Sequence, residues 1–243
     1  MSAINRYFDN LANLIVKLNG NHELLEEASQ LIARSLAKGG LIHVFGTGHS
    51  HVLAEEMFYR AGGLGAVNPI LEEDLMLHVS ASRSTSLERR GDLADKILQK
   101  QSINPSDVFI LISNSGGNAL IEAMAKRLKK QGVPLIAITS LQHATSPLAR
   151  TSGTKLHELA DIVLDNFGIL GDASVTFPDS AIVTGPTSTV IGTAIINALS
   201  SRAVELLLES GIEPEVFGSS NSLDGDKKND ELIRKFQSRI SIL

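Results

Sequence analysis

Val108-Phe109-Ile110-Leu111-Ile112 runs directly into Ser113-Asn114-Ser115-Gly116-Gly117-Asn118, and then into Ala119-Leu120-Ile121-Glu122-Ala123-Met124. Five apolar residues with no polar alternate read as a strand buried on both faces, the habit of parallel sheets. After the loop, Leu120, Ala123, Met124 and Leu128 recur at helical spacing until Gly132 stops the run. The unit is strand, polar loop, helix. A turn with an N-cap needs only one of the loop's polar residues, so the surplus points to a ligand.

The same pattern repeats outward. Leu41 to Phe45 is a short apolar run that ends in Gly46-Thr47-Gly48-His49-Ser50, and a helical pattern covers Ser50 to Ala61. Further strands are expected at Val67 to Leu71, despite Pro69, at Leu135 to Ile138 and at Ile162 to Leu164. Helices are expected over Asp92 to Gln101, over Thr187 to Glu209 behind Pro186, and near Leu232 to Phe236. Two amphipathic helices fill the first forty residues, separated by Asn19-Gly20-Asn21. They need a partner surface, part of which a second subunit can supply. Strands apolar throughout, alternating with helices, predict an α/β fold whose parallel sheet is covered on both faces. The expected organisation is a single domain over 1–243: a helical extension over 1–38, a core over 39–210, and a tail with a final helix over 211–243.

Composition narrows the function. The chain has 243 residues, 43% hydrophobic and 20% charged, with a net charge of −5. An acidic chain lacks the basic footprint that nucleic acid demands. Cysteine is absent, which excludes disulfide and thiolate chemistry and fits a reducing compartment. The first twenty residues mix apolar with polar groups and do not read as a signal peptide. No run approaches the roughly 20 apolar residues needed to span a bilayer. A cytoplasmic protein without membrane partners is expected.

The two polar loops carry the chemistry. Each follows a strand and opens a helix, where free N–H groups and partial positive charge favour an anion. Glycines let the backbone approach it closely. If the strands at Leu41 and Val108 are neighbours, both loops converge on one anion at the carboxyl end of the sheet. Rival phosphate motifs fit poorly. The first loop lacks the third glycine of a dinucleotide fingerprint, and no Gly-Lys-Ser/Thr follows any glycine loop.

Gly46-Thr47-Gly48-His49-Ser50, Ser113-Asn114-Ser115-Gly116-Gly117-Asn118 and Ile136-Ala137-Ile138-Thr139-Ser140 together resemble the SIS (sugar isomerase) domain family. Ser146-Pro147-Leu148-Ala149 and Leu159-Ala160-Asp161 look like the family's later elements, so the resemblance spans about Gly39 to Ser210. Within the family, the chain resembles a bacterial group related to phosphoheptose isomerase. The resemblance implies a three-layer αβα sandwich with a five-stranded, flavodoxin-like parallel sheet. It also implies a phosphorylated sugar as ligand, and a homodimer or homotetramer with sites near subunit interfaces. By position, Gly48, Ser50, Ser113, Ser115, Gly116 and Asn118 would hold the phosphate. The family's base and acid do not carry over. Phosphoheptose isomerase has a glutamate ten residues after the first-loop serine, where this chain has Arg60, and a histidine in the C-terminal helix, where this chain has none.

An aldose–ketose isomerase needs a carboxylate to shuttle a proton through an enediol and a second group to assist. Glu56 or Glu73 is expected as base, and His49 or His157 as acid. Glu55, Glu72, Asp74, His51 and His78 are further candidates. His49 and His51 offer two metal ligands, but a two-residue spacing across a loop–helix junction is a weak pattern. No metal or cofactor is expected. Two other functions fit the same scaffold: an etherase or lyase acting on an amino-sugar phosphate, and a non-catalytic phosphosugar sensor. The polar stretches Asp165 to Ala173 and Glu215 to Asp226 read either as site lining or as turn clusters. Val216-Phe217 within the second suggests an anchor, which a neighbouring subunit can receive.

Overall fold

A computed structural model describes residues 1–151, 153–221 and 225–243. In chain order the elements are α1 (Ala3–Asn19), α2 (His22–Ala37), β1 (Ile42–Gly46), α3 (His51–Met57), β2 (Val67–Pro69), α4 (Leu77–Leu87), α5 (Leu93–Gln99), β3 (Val108–Ile112), α6 (Ala119–Lys130), β4 (Leu135–Thr139), α7 (Leu141–Ala144), α8 (Leu156–Leu159), β5 (Ile162–Asp165), β6 (Val175–Thr176), β7 (Val183–Thr184), α9 (Ser188–Glu209) and α10 (Gly225–Phe236).

The five long-range strands form one parallel sheet in the order β2-β1-β3-β4-β5. This is the flavodoxin-like order, in which the connection reverses direction between β1 and β3. Alternate side chains of each strand divide between two cores. Ile42, Val44, Ile110, Ile112, Ile136 and Ile138 face α2, α3 and α9, while Phe45, Phe109, Leu111, Leu135 and Ala137 face α5 and α6. The result is a three-layer sandwich, as the apolar runs predict. A smaller cluster of Leu41, Ala66, Phe217, Leu232, Phe236 and Ile240 seats the C-terminal helix under the β1–β2 edge.

Three refinements follow. First, α2 is part of the sandwich: Ala28, Ile32 and Ala33 are buried in the sheet-facing core. Helix α1 packs on the outside of that layer through Leu11, Leu14 and Leu18, and its other side chains reach an arm over 174–187. There Tyr7 Oη donates to the Pro186 carbonyl (2.8 Å) and Asn10 Nδ2 to that of Ser174 (2.7 Å). Second, α9 is 22 residues long and apolar enough by length and composition to cross a membrane, contrary to the expectation that no segment is. Its apolarity has a local cause: Ile191, Ile195, Ile196, Leu199, Ala203 and Leu207 fill the core against α2 and α3. Third, Val216-Phe217 anchors within its own chain. Val216 bridges Leu64, and the Phe217 ring is buried beside α10. Residues 222–224, within that polar stretch and including Asp224, lie outside the described residues.

Candidate functional site

Both polar loops emerge at the carboxyl end of the sheet, on neighbouring strands in which Gly46 is the register partner of Ile112. The adjacency that the loops required is present, at the point where the strand order reverses. The first loop folds tightly. Gly48 has φ +57°, and a Cβ on Gly46 would lie 2.7 Å from Ser50 backbone atoms. A short 3₁₀ turn over Gly48–Ser50 precedes α3. In the second loop Gly116, at φ +61°, donates its N–H to Ser113 Oγ (3.2 Å) and accepts from Leu156 N–H (2.8 Å).

A hydrogen-bonded chain ties the loops together. Asn118 caps α6, its Oδ1 accepting from Ile121 N–H (2.8 Å). The cap turns its Nδ2 toward the first loop, where it donates to Thr47 Oγ1 (3.1 Å). Thr47 in turn donates to Glu88 Oε2 (3.1 Å). Glu88 follows α4, and its carbonyl also accepts from Leu120 N–H in the first turn of α6 (3.1 Å). Glu88 is thus fixed at two points, its carboxylate through Thr47 and its backbone through the first turn of α6.

A cavity of about 460 Å³ opens there, lined by Glu88, Arg89, Ser115, Gly117, Asn118, Ala119, His143, Arg150 and Thr151. The backbone N–H groups of Ser115, Asn118 and Ala119 have no partner among the described residues. The Ser115 hydroxyl has none either. Three open amides and a hydroxyl at a helix N-terminus form an anion cradle. The contrast with α9 is direct. Its first amides are filled by the Asp172 carboxylate, which accepts from Thr187 N–H (3.1 Å) and Ser188 N–H (3.0 Å). One helix end is closed by the chain's own anion, and the other is open. His143, whose Nδ1 is buried without a partner, faces the cavity. Burial and the nearby Lys155 push it below the usual histidine range, partly offset by Asp172.

The expected site residues divide into groups. Ser115 and Asn118 line the cavity, and Ser113 and Gly116 shape the loop behind it. Gly48 and Ser50 belong to the first loop but do not line this cavity. Glu56 faces α9, engaged by Arg60 and by Asn197 Nδ2 (2.9 Å). Glu73 is exposed in a short 3₁₀ turn. Glu72 pairs with Lys100 and Asp74 with Arg83. His49 is exposed. His51 bonds the Gly48 carbonyl and lies 3.4 Å from Glu55. His157, on α8, has a buried, unpartnered Nδ1 but does not reach the cavity lining. Among the described residues no three His, Asp or Glu side chains gather to hold a metal. The Asp165–Ala173 stretch is mostly structural: Asp165 caps α7 through Leu141 N–H (3.0 Å), and Asn166 Nδ2 donates to Asn114 Oδ1 (3.0 Å).

Glu88, Arg89, His143, Arg150 and Thr151 are cavity residues that the motifs did not flag. Thr47 offered a signal, a hydroxyl between two glycines. Glu88-Arg89-Arg90 offered another, a charged triplet after a Ser-rich helix.

A family model described as "SIS domain" matches residues 6–140. The UPF0309 protein GK1441 of Geobacillus kaustophilus (strain HTA426) is 42% identical over 242 residues, 99% of this chain and 96% of that protein. Among solved structures, the phosphoheptose isomerase of Francisella tularensis superposes with a TM-score of 0.54 at 15% identity, covering 83% of this chain and 96% of that one. The Vibrio vulnificus NanR protein, solved in complex with ManNAc-6P, gives 0.51 at 14% identity over 96% of this chain and 68% of that one. These two share the fold. With the family match and the relative in hand, the chain belongs to the SIS domain family.

Proposed function

We propose that the protein binds a phosphorylated sugar in the cavity at the N-terminus of α6 and interconverts its aldose and ketose forms. The observation that carries this is a set of three open backbone amides and Ser115 in one cavity with a positioned carboxylate. The phosphate takes the amides and hydroxyl. Glu88, rather than Glu56 or Glu73, is the base: it lines the cavity, and Thr47 holds one carboxylate oxygen while the other is left for substrate. It removes a proton from the hydroxyl-bearing carbon beside the carbonyl and returns it to the former carbonyl carbon, passing through an enediolate, while the proton of the adjacent hydroxyl passes to the former carbonyl oxygen. His143, held neutral by its surroundings, donates a hydrogen bond to the oxygen that gains charge. The SIS family and a ligand-bound relative in fold, NanR with ManNAc-6P, support a phosphosugar as the ligand class. Incubation with aldose and ketose phosphates of five to seven carbons, followed by NMR, tests the reaction. Conversion of at least one pair is expected; binding without any conversion rejects the isomerase.

The working unit in this reading is a cytoplasmic homo-oligomer. Ile4, Phe8 and Ile15 of α1 are 68, 63 and 43% exposed and lie on one face of the helix. A second copy covers that face. Phe8→Asp is expected to shift the mass in solution from oligomer to monomer, and a wild-type monomer rejects this part.

A further inference from the structure

The cavity described above mixes opposite charges, and the mixture poses an electrostatic problem. A phosphate monoester carries close to two negative charges, and Glu88 adds a third in the same space of about 460 Å³. The helix end contributes only about half a positive charge. Amides and hydroxyls alone would leave a carboxylate facing a dianion at close range, an unfavourable arrangement in a partly desolvated cavity.

Two arginines answer it. The chain has eleven arginines. Only Arg34, Arg89 and Arg150 lack a side-chain partner among the described residues, and two of these three line this cavity. They come from unrelated segments, and each segment docks its backbone onto the same helix end. Arg89 follows Glu88, whose carbonyl accepts from Leu120 N–H (3.1 Å). Arg150 lies on the connection between α7 and α8, and its carbonyl packs against Gly117 so closely that a Cβ there would collide with it. That connection is pinned beyond Arg150 as well: Thr154 N–H donates to Glu122 Oε1 (3.0 Å), and Leu156 N–H to the Gly116 carbonyl (2.8 Å). The family match ends at residue 140, before Arg150.

We propose that Arg89 and Arg150 form a two-sided clamp on the phosphate, which lets a dianion and the Glu88 carboxylate share one cavity and so selects dianionic phosphate monoesters over less charged sugars. This rests on the phosphosugar reading. Two unit charges added to a half-charged helix end turn the sign of the cavity from negative to positive, even with Glu88 ionised. Both side chains are exposed and hold nothing else in the fold, so their replacement leaves the scaffold intact.

Calorimetry on the full chain at low salt separates the outcomes. The probes are inorganic phosphate, fructose 6-phosphate, glucose 6-phosphate and glucose 6-sulfate. The proteins are wild type, Arg89→Gln, Arg150→Gln, the double variant and Ser115→Ala. Each arginine variant is expected to weaken binding of the phosphates about tenfold, and the double variant about a hundredfold, as befits charge-assisted hydrogen bonds. The singly charged sulfate is expected to bind wild type about tenfold more weakly than the phosphate, for the same reason. A double variant within twofold of wild type, while Ser115→Ala loses affinity, overturns the clamp and leaves the phosphosugar reading standing. Wild type that binds none of the phosphates overturns both.

Discussion

The two ends of the central sheet treat charge in opposite ways. At the amino end, Asp107 is buried, and its carboxylate is surrounded by donors. It accepts from Leu41 N–H (2.8 Å), Asn104 N–H (2.8 Å), His43 Nε2 (3.0 Å) and Arg239 Nη2 (2.6 Å). His43 stacks on Phe109, with ring centroids 4.5 Å apart, and its Nδ1 is bonded by Asn68 (2.8 Å). The Asp107 carboxylate and both His43 ring nitrogens are engaged, and among the described residues of this cluster only Arg239 Nε is buried without a partner. At the carboxyl end, open amides, a hydroxyl and two unpaired guanidiniums surround a cavity. The same strands support both ends. What distinguishes a structural cluster from a binding site is whether its polar groups are already satisfied by the chain.

This contrast can be broken from either end. The largest effect is expected from Glu88→Gln, which keeps the Thr47 contact but removes the base. Turnover should fall about 10²- to 10⁴-fold with the melting temperature unchanged; steady-state rates beside a thermal scan decide it, and retained turnover removes Glu88 from the reaction. Next is Asp107→Ala. It strands the buried His43 and the Arg239 guanidinium, at a cost of about 3–5 kcal/mol in stability, with phosphate affinity unaffected. Urea unfolding and calorimetry measure the two sides, and a loss of affinity would show that the ends are not independent.

Acid titration of stability follows in size. Burial acts to raise the Asp107 pKa, but the hydrogen bonds from His43, Arg239, Asn104 and Leu41 outweigh it and hold the group at about 2, below its ordinary 3.8. A folded-state pKa below the unfolded one means the unfolded chain binds more protons between the two values. The contribution is therefore fully present above about pH 4 and lost as pH falls toward 2. It is worth about 2 kcal/mol, and Asp107→Asn should flatten that part of the profile. The smallest effect is expected from Thr47→Val. It removes the bond donated to the Glu88 carboxylate and the one accepted from Asn118 Nδ2; losing the first, about 1.5 kcal/mol, should lower turnover about tenfold while leaving phosphate affinity near wild type.

The fold was legible because apolar runs such as Val108–Ile112 and Leu135–Ile138 carry no polar alternate, so their burial on both faces could be read directly. The elements missed are those whose burial is slight or whose pattern is broken. Helix α4, Leu-His-Val-Ser-Ala-Ser-Arg-Ser-Thr-Ser-Leu, kinks at Ser80 and buries only Ser84. Helix α10 is longer than expected because its first two turns are polar, and the one buried residue described there, Asn229, is an amide bonded to Gly218 rather than an apolar marker. The Ser113–Asn118 loop was legible for the same reason as the fold, as a local surplus of polar residues. The carboxylate proposed as base was not. Glu88 gains its position from Thr47 and Leu120, residues 41 and 32 positions away, and contacts of that range leave no periodic trace. Glu56 and Glu73 stand nearer the motifs in sequence; the structure turns Glu56 toward α9 and leaves Glu73 exposed outside the cavity lining.

The central claim is the place of the phosphate. A crystal structure of the protein with a bound sugar phosphate tests it most directly. Phosphate oxygens are expected within hydrogen-bond distance of Ser115 Oγ and the Ala119 amide, with Arg89 and Arg150 on either side. A ligand seated instead in the apolar groove between α1, α2 and α9, lined by Ile15, Leu18, Leu25 and Ala194, would contradict it.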